Sequence, residues 1–353
     1  MRIGIFGSSK DPQCRAVASE LRALGVEDVL VRADALDAGL PLSMTECGVE
    51  YRGVPLEDVA AFYLRFVPAP YAPYMVKDGT IVLYDDWHER YMHAREKASF
   101  FVAWLLNLVH DGVAVVNAPQ AASVLQYKPT QLHALRALGA RVPRTLISND
   151  PSKVRAFQKE VGDVIFKPLM GGAITCRLEG EALDRLDDIV ASPVIFQERA
   201  PGRDLRVMVV GDRVVSSVAI VTEEQHLDFR ADPTYSGGKA RYEEVHLPAD
   251  VEAACIRGAR ACGLDFAGID IKQEGDDWVF LELNSSPVYL DVERKIGHPI
   301  SRHVAKHLVE KAAARQSTRK SARPISMVSS LSTSGASAGP SAAVCVEASV
   351  RSR

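Results

Sequence analysis

The most constraining feature of the sequence is a pair of apolar runs joined by a short polar turn. The runs cover residues 268–272 and 279–283, and the turn Glu-Gly-Asp-Asp at 274–277 predicts that they form an antiparallel hairpin. Asp270 interrupts the first run, and Glu282 and Asn284 stand at the end of the second. Residues two apart in a strand project from the same face. Glu282 and Asn284 therefore share a face, which Asp270 on the neighbouring strand can meet.

Two carboxylates and an amide on one face offer a set of hard oxygen ligands. Mg²⁺ prefers such ligands and keeps phosphate oxygens and water in its remaining positions. The alternative is a solvated strand face with ordinary polar residues. Because charged side chains among buried apolar ones need partners, we favour a metal site formed by Asp270, Glu282 and Asn284.

Length and composition exclude several classes of protein. A chain of 353 residues is too long for one hydrophobic core, so two or three domains are expected. The net charge of -3 argues against a protein that binds nucleic acid by neutralising phosphates. There is no bilayer-length apolar run and no signal-peptide pattern, and the six cysteines form no Cys-x-x-Cys pair. We expect a cytoplasmic protein with neither nucleic-acid nor membrane partners.

Strand and helix patterns alternate early in the chain and give way to hairpin signals. The order strand, loop, helix, strand over residues 2–32 predicts an α/β layer with parallel strands. A long helix is expected over 85–109, and its apolar stripe is interpreted as packing. From these patterns we expect an N-terminal α/β domain at 1–112, a central domain at 113–198 and a C-terminal domain at 199–314. The Ser- and Ala-rich segment 315–353 has no aromatic residue and is expected to be a disordered tail.

Two lysines stand where a polyphosphate can be held. Lys128 is at a helix start, and Lys167 ends a strand just before Gly171 and Gly172. Cations beside free backbone N–H groups can bind phosphate. Either lysine alone is more often a surface charge, and a Gly-Gly pair is more often a turn, so their order along the chain is what gives them weight.

Two further segments carry polar groups suited to a nucleotide. Gln197 and Glu198 end a strand that runs into an irregular segment containing Ala200, whose backbone can meet an adenine edge, and Asp204 can take ribose hydroxyls. The alternative is an inter-domain linker with an ion pair between Asp204 and Arg206. In the segment 226–230 an arginine can stabilise charge on a transferring phosphoryl group. The alternative there is an exposed loop.

In this order the residues resemble the ATP-grasp superfamily and, within it, the RimK-like ligases, over about residues 113–312. Segments 61–66, 117–119, 143–150, 226–230 and 293–300 resemble, more narrowly, the ligases that crosslink microviridins and other graspetides. The resemblance implies an ATP-grasp fold with three domains, α/β at first and α+β in the ATP-binding half. It also implies that ATP binds between a central and a C-terminal ATP-grasp domain.

The resemblance also implies a role for each residue. Phosphate binding falls to Lys128, Lys167, Gly171 and Gly172, adenine binding to Gln197, Glu198 and Ala200, and ribose binding to Asp204. Two Mg²⁺ ions would be held by Asp270, Glu282 and Asn284. We assign stabilisation of the acyl phosphate to Arg206 and Arg230 on the basis of their charge. Asp228 is either the base that deprotonates the acceptor or the ion-pair partner of Arg230.

The implied reaction is an ATP-dependent ligation through an acyl phosphate. In the graspetide group it joins side-chain carboxylates of a ribosomally made precursor peptide to Thr, Ser or Lys side chains, giving ω-ester or ω-amide rings. Expected partners are such a peptide with its leader sequence, and a second copy in a homodimer. The helix expected at 181–190 and the hairpin around Gly211 and Asp212 are candidate leader-docking surfaces, or else an ordinary solvated helix and turn. Two alternatives remain: a RimK-like ligase that adds amino acids to a small molecule or a protein terminus, and a non-catalytic ATP-binding module.

Overall fold

The structure is a computed structural model that describes residues 1–46, 48–65, 67, 74–77, 80–123, 127–170, 174–221, 227–232, 235 and 238–321. The described residues form three units, each built on its own main sheet. An N-terminal unit is followed by a central unit and a C-terminal unit. The pocket discussed below lies between the last two.

The N-terminal unit is built on a parallel sheet with strand order β2-β1-β6-β9. Its strands and helices are β1 (Arg2–Gly7), α1 (Pro12–Ala23), β2 (Glu27–Arg32), β6 (Val59–Leu64), α2 (Trp87–His110) and β9 (Ala114–Val116). Two smaller sheets accompany it, formed by β3 (Leu42–Thr45), β4 (Gly48–Tyr51) and β5 (Val54–Pro55), and by β7 (Tyr74–Lys77) and β8 (Thr80–Leu83). Every residue of β6 is buried, as expected of a parallel strand covered on both faces.

Local chemistry accounts for the start of α1, and long-range pairing for the end of the unit. Asp11 caps α1 by accepting a hydrogen bond from the Gln13 N–H at 2.7 Å, and Pro12 occupies the first helical position. Strand β9 pairs in parallel with β6. The boundary expected after residue 112 therefore falls before the last strand of the N-terminal sheet, because β9 completes that sheet and does not open the central unit.

The central unit is a small antiparallel sheet with helices on one side and strand order β10-β13-β11-β12. Its elements are β10 (Thr145–Ser148), α5 (Pro151–Val161), β11 (Val164–Lys167), β12 (Cys176–Arg177), α6 (Glu181–Asp184), a 3-10 helix (Leu186–Ala191) and β13 (Val194–Glu198). The single helix expected over 181–190 is thus two short turns. The segment contains two consecutive aspartates, at 187 and 188, followed by β-branched residues, and all of these have a low propensity for α-helix.

The C-terminal unit is an antiparallel sheet with strand order β16-β15-β14-β17-β18. Its strands are β14 (Arg203–Val210), β15 (Arg213–Val221), β16 (Arg241–Glu244), β17 (Phe266–Glu274) and β18 (Asp277–Asn284). The helices that accompany it are α3 (Pro119–Ala122), α4 (Lys128–Ala137), α7 (Ala249–Ala261), α8 (Leu290–Ile296) and α9 (Ile300–Ser321). Both hairpins expected from the sequence, β14–β15 and β17–β18, are present.

Helix α9 returns to the N-terminal unit and joins it to the C-terminal unit. It packs against α1 and β6, and one hydrophobic cluster contains Ile3, Tyr63, Phe266 and Leu308. The first residues assigned to the tail, from 315 on, are helical, since α9 continues to Ser321; the tail residues 322–353 lie outside the described part. Among the described residues, no helix combines the length and hydropathy that a bilayer crossing requires.

Candidate active site

A pocket of about 460 Å³ lies between the central sheet and the C-terminal sheet. Twelve of the residues singled out from the sequence line it: Lys128, Lys167, Gln197, Glu198, Ala200, Asp204, Arg206, Asp228, Arg230, Asp270, Glu282 and Asn284. The other two, Gly171 and Gly172, lie outside the described residues. Residues spread over more than 150 positions of the chain thus meet in one cavity.

The floor of the pocket is a row of charged side chains that face one another on neighbouring strands. Asp204 on β14 is opposite Lys272 on β17, and two residues further on Arg206 is opposite Asp270. Asp270 in turn is opposite Glu282 on β18. Because residues two apart share a face, the alternation places all five charged side chains on the side of the sheet that lines the pocket.

The candidate metal ligands lie together, each held by a neighbour. The Nε atom of Arg206 is 2.5 Å from Asp270 Oδ1, and the Asn284 side-chain amide donates to Asp270 Oδ2 at 3.1 Å. Glu282 forms an ion pair with Lys128. Burial raises the pKa of Asp270 to about 6. Burial also raises the pKa of Glu282, but Lys128 and Lys167 outweigh it, so that the pKa falls below its ordinary value.

This donor set fits a divalent cation that shares phosphate oxygens. Among the described residues no cluster of three or more His, Cys, Asp or Glu side chains is placed to bind a metal. The candidate metal ligands are two carboxylates and one amide, all hard donors suited to Mg²⁺. With so few protein ligands, phosphate oxygens and water are needed to complete the coordination shell.

Lys128 occupies an electrostatically unfavourable place, the first residue of α4. A helix N-terminus carries partial positive charge, which repels a cation. Glu282 compensates for this, and Gln131 fixes the helix in place, because its Oε1 accepts a hydrogen bond from the Leu283 N–H at 2.8 Å. Lys167 faces the same pocket from β11. Its pKa is lowered by burial and by Lys128, whereas Glu282 acts in the opposite direction.

The end of the pocket nearest the central sheet holds a buried amide with spare hydrogen-bonding capacity. Gln197 is 1% exposed, and its Nε2 donates to Thr145 Oγ1 at 3.0 Å. Its Oε1 is buried and has no partner among the described residues. A buried acceptor without a partner is costly, so a bound N–H donor, such as the exocyclic amine of adenine, would satisfy it. Glu198 and Ala200 line the same end.

Asp228 and Arg230 form a bidentate pair at the mouth of the pocket. Arg230 Nε donates to Asp228 Oδ1 at 2.8 Å, and Nη2 donates to Oδ2 at 2.5 Å. The Thr175 N–H also donates to Oδ2, at 3.1 Å. Burial raises the pKa of Asp228, but these donors outweigh burial and lower it to about 2. Such a weakly basic carboxylate is better suited to holding Arg230 than to accepting a proton.

Lys272 and Leu281 are among the pocket residues that the sequence did not predict as site residues. Lys272 follows Asp270 by two positions, and this period-2 spacing could have indicated it. Leu281 lines the pocket together with its neighbour Glu282 because the β17–β18 pairing is irregular between Asp270 and Ile271. An extra residue in one strand interrupts the alternation of faces, and no sequence signal marks where that occurs.

The loop after β18 connects the pocket to the N-terminal unit. Arg65, at the end of β6, donates to the Ser286 carbonyl from Nη1 at 2.9 Å and to Asp11 Oδ2 from Nε at 2.8 Å. Asn117, which follows β9, donates to the Ser285 carbonyl at 2.6 Å. Since residues 286–288 line the pocket, the N-terminal unit fixes one of its walls.

Comparison with known proteins shows that the chain is similar to a family of ligase domains and to individual ligases. A family model described as the RimK-like ATP-grasp domain matches residues 126–308, more than half of the chain. A probable alpha-L-glutamate ligase of Mannheimia succiniciproducens is 28% identical over 246 residues, 67% of this chain and 78% of that protein. Another, of Shewanella loihica, is 30% identical over 201 residues, 54% of this chain and 65% of that protein.

Solved structures cover more of the chain. The ATP-grasp ligase PsnB, complexed with a phosphomimetic variant of its minimal precursor, Mg and ADP, is 34% identical with a TM-score of 0.75, over 88% of this chain and 98% of that one. The macrocyclase MdnC of Microcystis aeruginosa, bound with precursor peptide MdnA, is 20% identical with a TM-score of 0.69, over 88% of this chain and 100% of that one. The second likeness shows the fold alone. The fold expected from the sequence is confirmed.

Proposed function

The chain belongs to the RimK-like ATP-grasp family, and from this membership we propose that it is an ATP-dependent ligase that activates a carboxylate as an acyl phosphate. The observation that carries the proposal is the pocket itself, in which cations, carboxylates and a buried amide with an unused acceptor surround one cavity.

The chemistry has two steps. A carboxylate oxygen attacks the γ-phosphorus of ATP, ADP leaves, and an acyl phosphate forms. A hydroxyl or amine then attacks the acyl carbon, the bond between that carbon and the phosphate oxygen breaks, and inorganic phosphate leaves with the proton that the nucleophile loses. Mg²⁺ would supply charge neutralisation between the two anionic reactants, and Asp270, Glu282 and Asn284 are the residues proposed to hold it.

The remaining roles follow from position in the pocket. Lys128 and Lys167 are proposed to bind the phosphates, and Gln197, Glu198 and Ala200 the adenine. Arg206 and Arg230 are proposed to stabilise charge on the acyl phosphate and on the tetrahedral species that follows it. We propose that Asp228 orients Arg230, since its pKa is held at about 2.

We propose that the substrate is a ribosomally made precursor peptide, crosslinked through side-chain ω-ester or ω-amide bonds. The likeness to PsnB supports this, because it extends over 88% of the chain and includes the N-terminal unit. The second candidate is a ligase that adds amino acids to a small molecule or a protein terminus. It is favoured by the two glutamate ligases, whose likeness covers a smaller part of the chain.

A second groove, of about 440 Å³, supports a place for the peptide's leader on the central unit. Its apolar lining includes Phe166, Leu178 and Phe196, and Arg185 and Asp188 contribute charge. It lies on the expected surface around 181–190, although that surface consists of two short turns. An amphipathic leader segment would match an apolar groove with a charged rim.

Mass spectrometry of a co-expressed precursor peptide distinguishes the candidates. Crosslinking predicts the loss of one water per ring, reversed by mild alkali if the rings are esters. Mass gains equal to added amino acids would favour the second candidate. Unchanged peptide and no carboxylate-dependent release of ADP would contradict the proposed ligase.

A further inference from the structure

Lys272 is a buried cation in the pocket that the roles above leave unexplained. Its Nζ lies 2.8 Å from Asp204 Oδ2 and 3.3 Å from the Gly202 carbonyl oxygen. The side chains of Lys272 and Asp204 are 12% and 16% exposed, so this pair is largely removed from water. Surface ion pairs contribute little, whereas a pair at this depth controls the charge and the orientation of its members.

We propose that Lys272 is a positioning residue for the ribose of the nucleotide: it holds Asp204 so that the carboxylate accepts hydrogen bonds from the sugar hydroxyls, and it thereby makes the enzyme select ribonucleotides over deoxyribonucleotides. The inference rests on the proposed function, because it assumes that the nucleotide binds in this pocket.

The first step of the argument is the state of Asp204. Burial raises the pKa of this carboxyl group, and Lys272 is the strongest influence in the opposite direction. A protonated carboxyl would lose much of its capacity to accept from two vicinal hydroxyls. Lys272 therefore favours the ionised form of Asp204, which accepts hydrogen bonds from hydroxyl groups better than the protonated form does.

The second step is geometry. Lys272 engages Oδ2 of Asp204, which leaves Oδ1 of this pocket-lining carboxylate to accept from a ligand. The ammonium group is itself held from the other side by the Gly202 carbonyl. The pair is therefore fixed on β14 and β17, whose register places the two residues directly opposite each other.

The third step is the local backbone that brings the Gly202 carbonyl to the lysine. Gly202 has φ +96°, and a Cβ atom there would lie 2.1 Å from the Gln273 carbonyl oxygen. Only glycine fits both the conformation and the close approach to β17. The sequence thus builds a second acceptor for Lys272, which a lysine serving only to balance one charge would not require.

The test is binding of ADP and 2′-deoxy-ADP to the full-length protein with Mg²⁺, measured by isothermal titration calorimetry. The wild type should prefer ADP by roughly 10-fold or more, as expected for a lost hydrogen bond to a charged group. Lys272→Met should weaken ADP binding and bring the ratio of the two affinities close to one. Lys272→Arg should keep most of the preference, because the charge and a donor remain.

Matched variants separate positioning from general stability. Arg203→Met removes a cation from the adjacent position of β14, on the exposed side of the strand, and should leave the affinity ratio unchanged. If Lys272→Met binds neither nucleotide, the ratio of the affinities for ADP and 2′-deoxy-ADP is measured on Lys272→Gln. This variant keeps a hydrogen-bond donor but removes the charge.

The outcomes are distinguishable. A wild-type preference for ADP that survives in Lys272→Met or Lys272→Gln would overturn the inference, as would equal binding of ADP and 2′-deoxy-ADP by the wild type, and the proposed function would stand in both cases. A wild type that binds no adenine nucleotide would overturn the proposed function and this inference with it.

Discussion

At the scale of single residues, the pocket tolerates electrostatic arrangements that a stable fold would otherwise avoid. Lys128 lies at a helix N-terminus, and burial opposes the charge on Lys167. The negative charge of Glu282 stabilises the positive charges of both lysines. Such conflicts are typical of functional sites, where local rules are broken because a ligand, and not the fold, requires the charge.

Glu282→Gln should reduce ligation by about 100-fold or more, since it removes a candidate metal ligand and the partner of Lys128. The measurement is ADP release at saturating Mg²⁺, with circular dichroism to verify folding. Asp277→Asn is the matched control, because it also removes a carboxylate from β18 but breaks only an exposed ion pair with Arg141. Turnover in Glu282→Gln close to that of the control would contradict the metal assignment.

Asp228→Asn should change the pH dependence of stability. The folded-state pKa of Asp228 is lowered from 3.8 to about 2. A lowered pKa stabilises the fold above the unfolded-state value, and this contribution, up to about 2 kcal/mol, is lost as pH falls from about 4 to about 2. Urea unfolding at pH 7, 4 and 3 should therefore show a difference between wild type and variant that shrinks toward low pH. A constant difference would show that Asp228 does not titrate in this way.

Residue spacing predicted the parts of the site whose geometry is local, whereas distant residues such as Lys128 and Lys167 were predicted from the resemblance to the ATP-grasp ligases. Glu282 and Asn284 share a face through the period of a strand, and a short turn brings Asp270 opposite Glu282. The position of Leu281 in the pocket could not be predicted from the sequence, because the direction of its side chain depends on an irregularity in strand pairing. The unused acceptor of Gln197 could not be predicted either, because it depends on which side chains of other strands approach the Gln197 amide.

At the scale of elements, a small residue decides where a loop can pass. Gly268 on β17 is opposite Asn284 on β18. A Cβ atom on Gly268 would lie 2.6 Å from Pro287 Cβ. The loop after β18 can therefore cross β17 and form a wall of the pocket only because this position has no side chain.

Gly268→Ala should displace that loop and cost about 1–3 kcal/mol of stability. The rate of ligation should fall even at temperatures at which the variant is folded. Thermal unfolding and ADP release are the two measurements. Gly258→Ala is the comparison, because the added Cβ would meet the buried Leu135 side chain at 2.8 Å and would strain a core that does not include this loop. If both variants behave alike, Gly268 is not required for the loop's position.

Element boundaries could be predicted from the sequence where a cap or turn marks them, and not where a distant partner decides. Asp11 and Pro12 mark the start of α1, and the hairpin turns mark four strands of the C-terminal sheet. Strand β9 belongs to the N-terminal sheet because it pairs with β6, some fifty residues earlier in the chain. The sequence of β9 itself does not indicate this pairing.

At the scale of the whole molecule, the three units are joined unequally. The N-terminal and C-terminal units share a hydrophobic cluster that includes Val17, Met208 and Val304. The central unit has a small cluster of its own, with Val154, Leu178 and Phe196. The pocket lies along the boundary of the less firmly joined unit, so a bound nucleotide would connect two bodies whose cores are separate.

Hydrogen–deuterium exchange should reveal this connection. Adding ADP and Mg²⁺ should slow exchange in β11, β13 and the start of β14, which line the pocket, and leave β1 and β6 unchanged. The reason is that local opening has a lower free energy where few apolar contacts cross a boundary. Uniform protection across all three units would contradict this division.

The return of α9 to the N-terminal sheet has a consequence for synthesis on the ribosome. Ile3 and Leu308 belong to one cluster, yet the second is translated about 300 residues after the first. At ~5–20 residues per second, the face of the sheet that α9 covers waits roughly 15–60 s for its partner. During that time the apolar strand residues of this face lack the helix that covers them, and folding of the N-terminal unit depends on α9, which is translated after the other described elements.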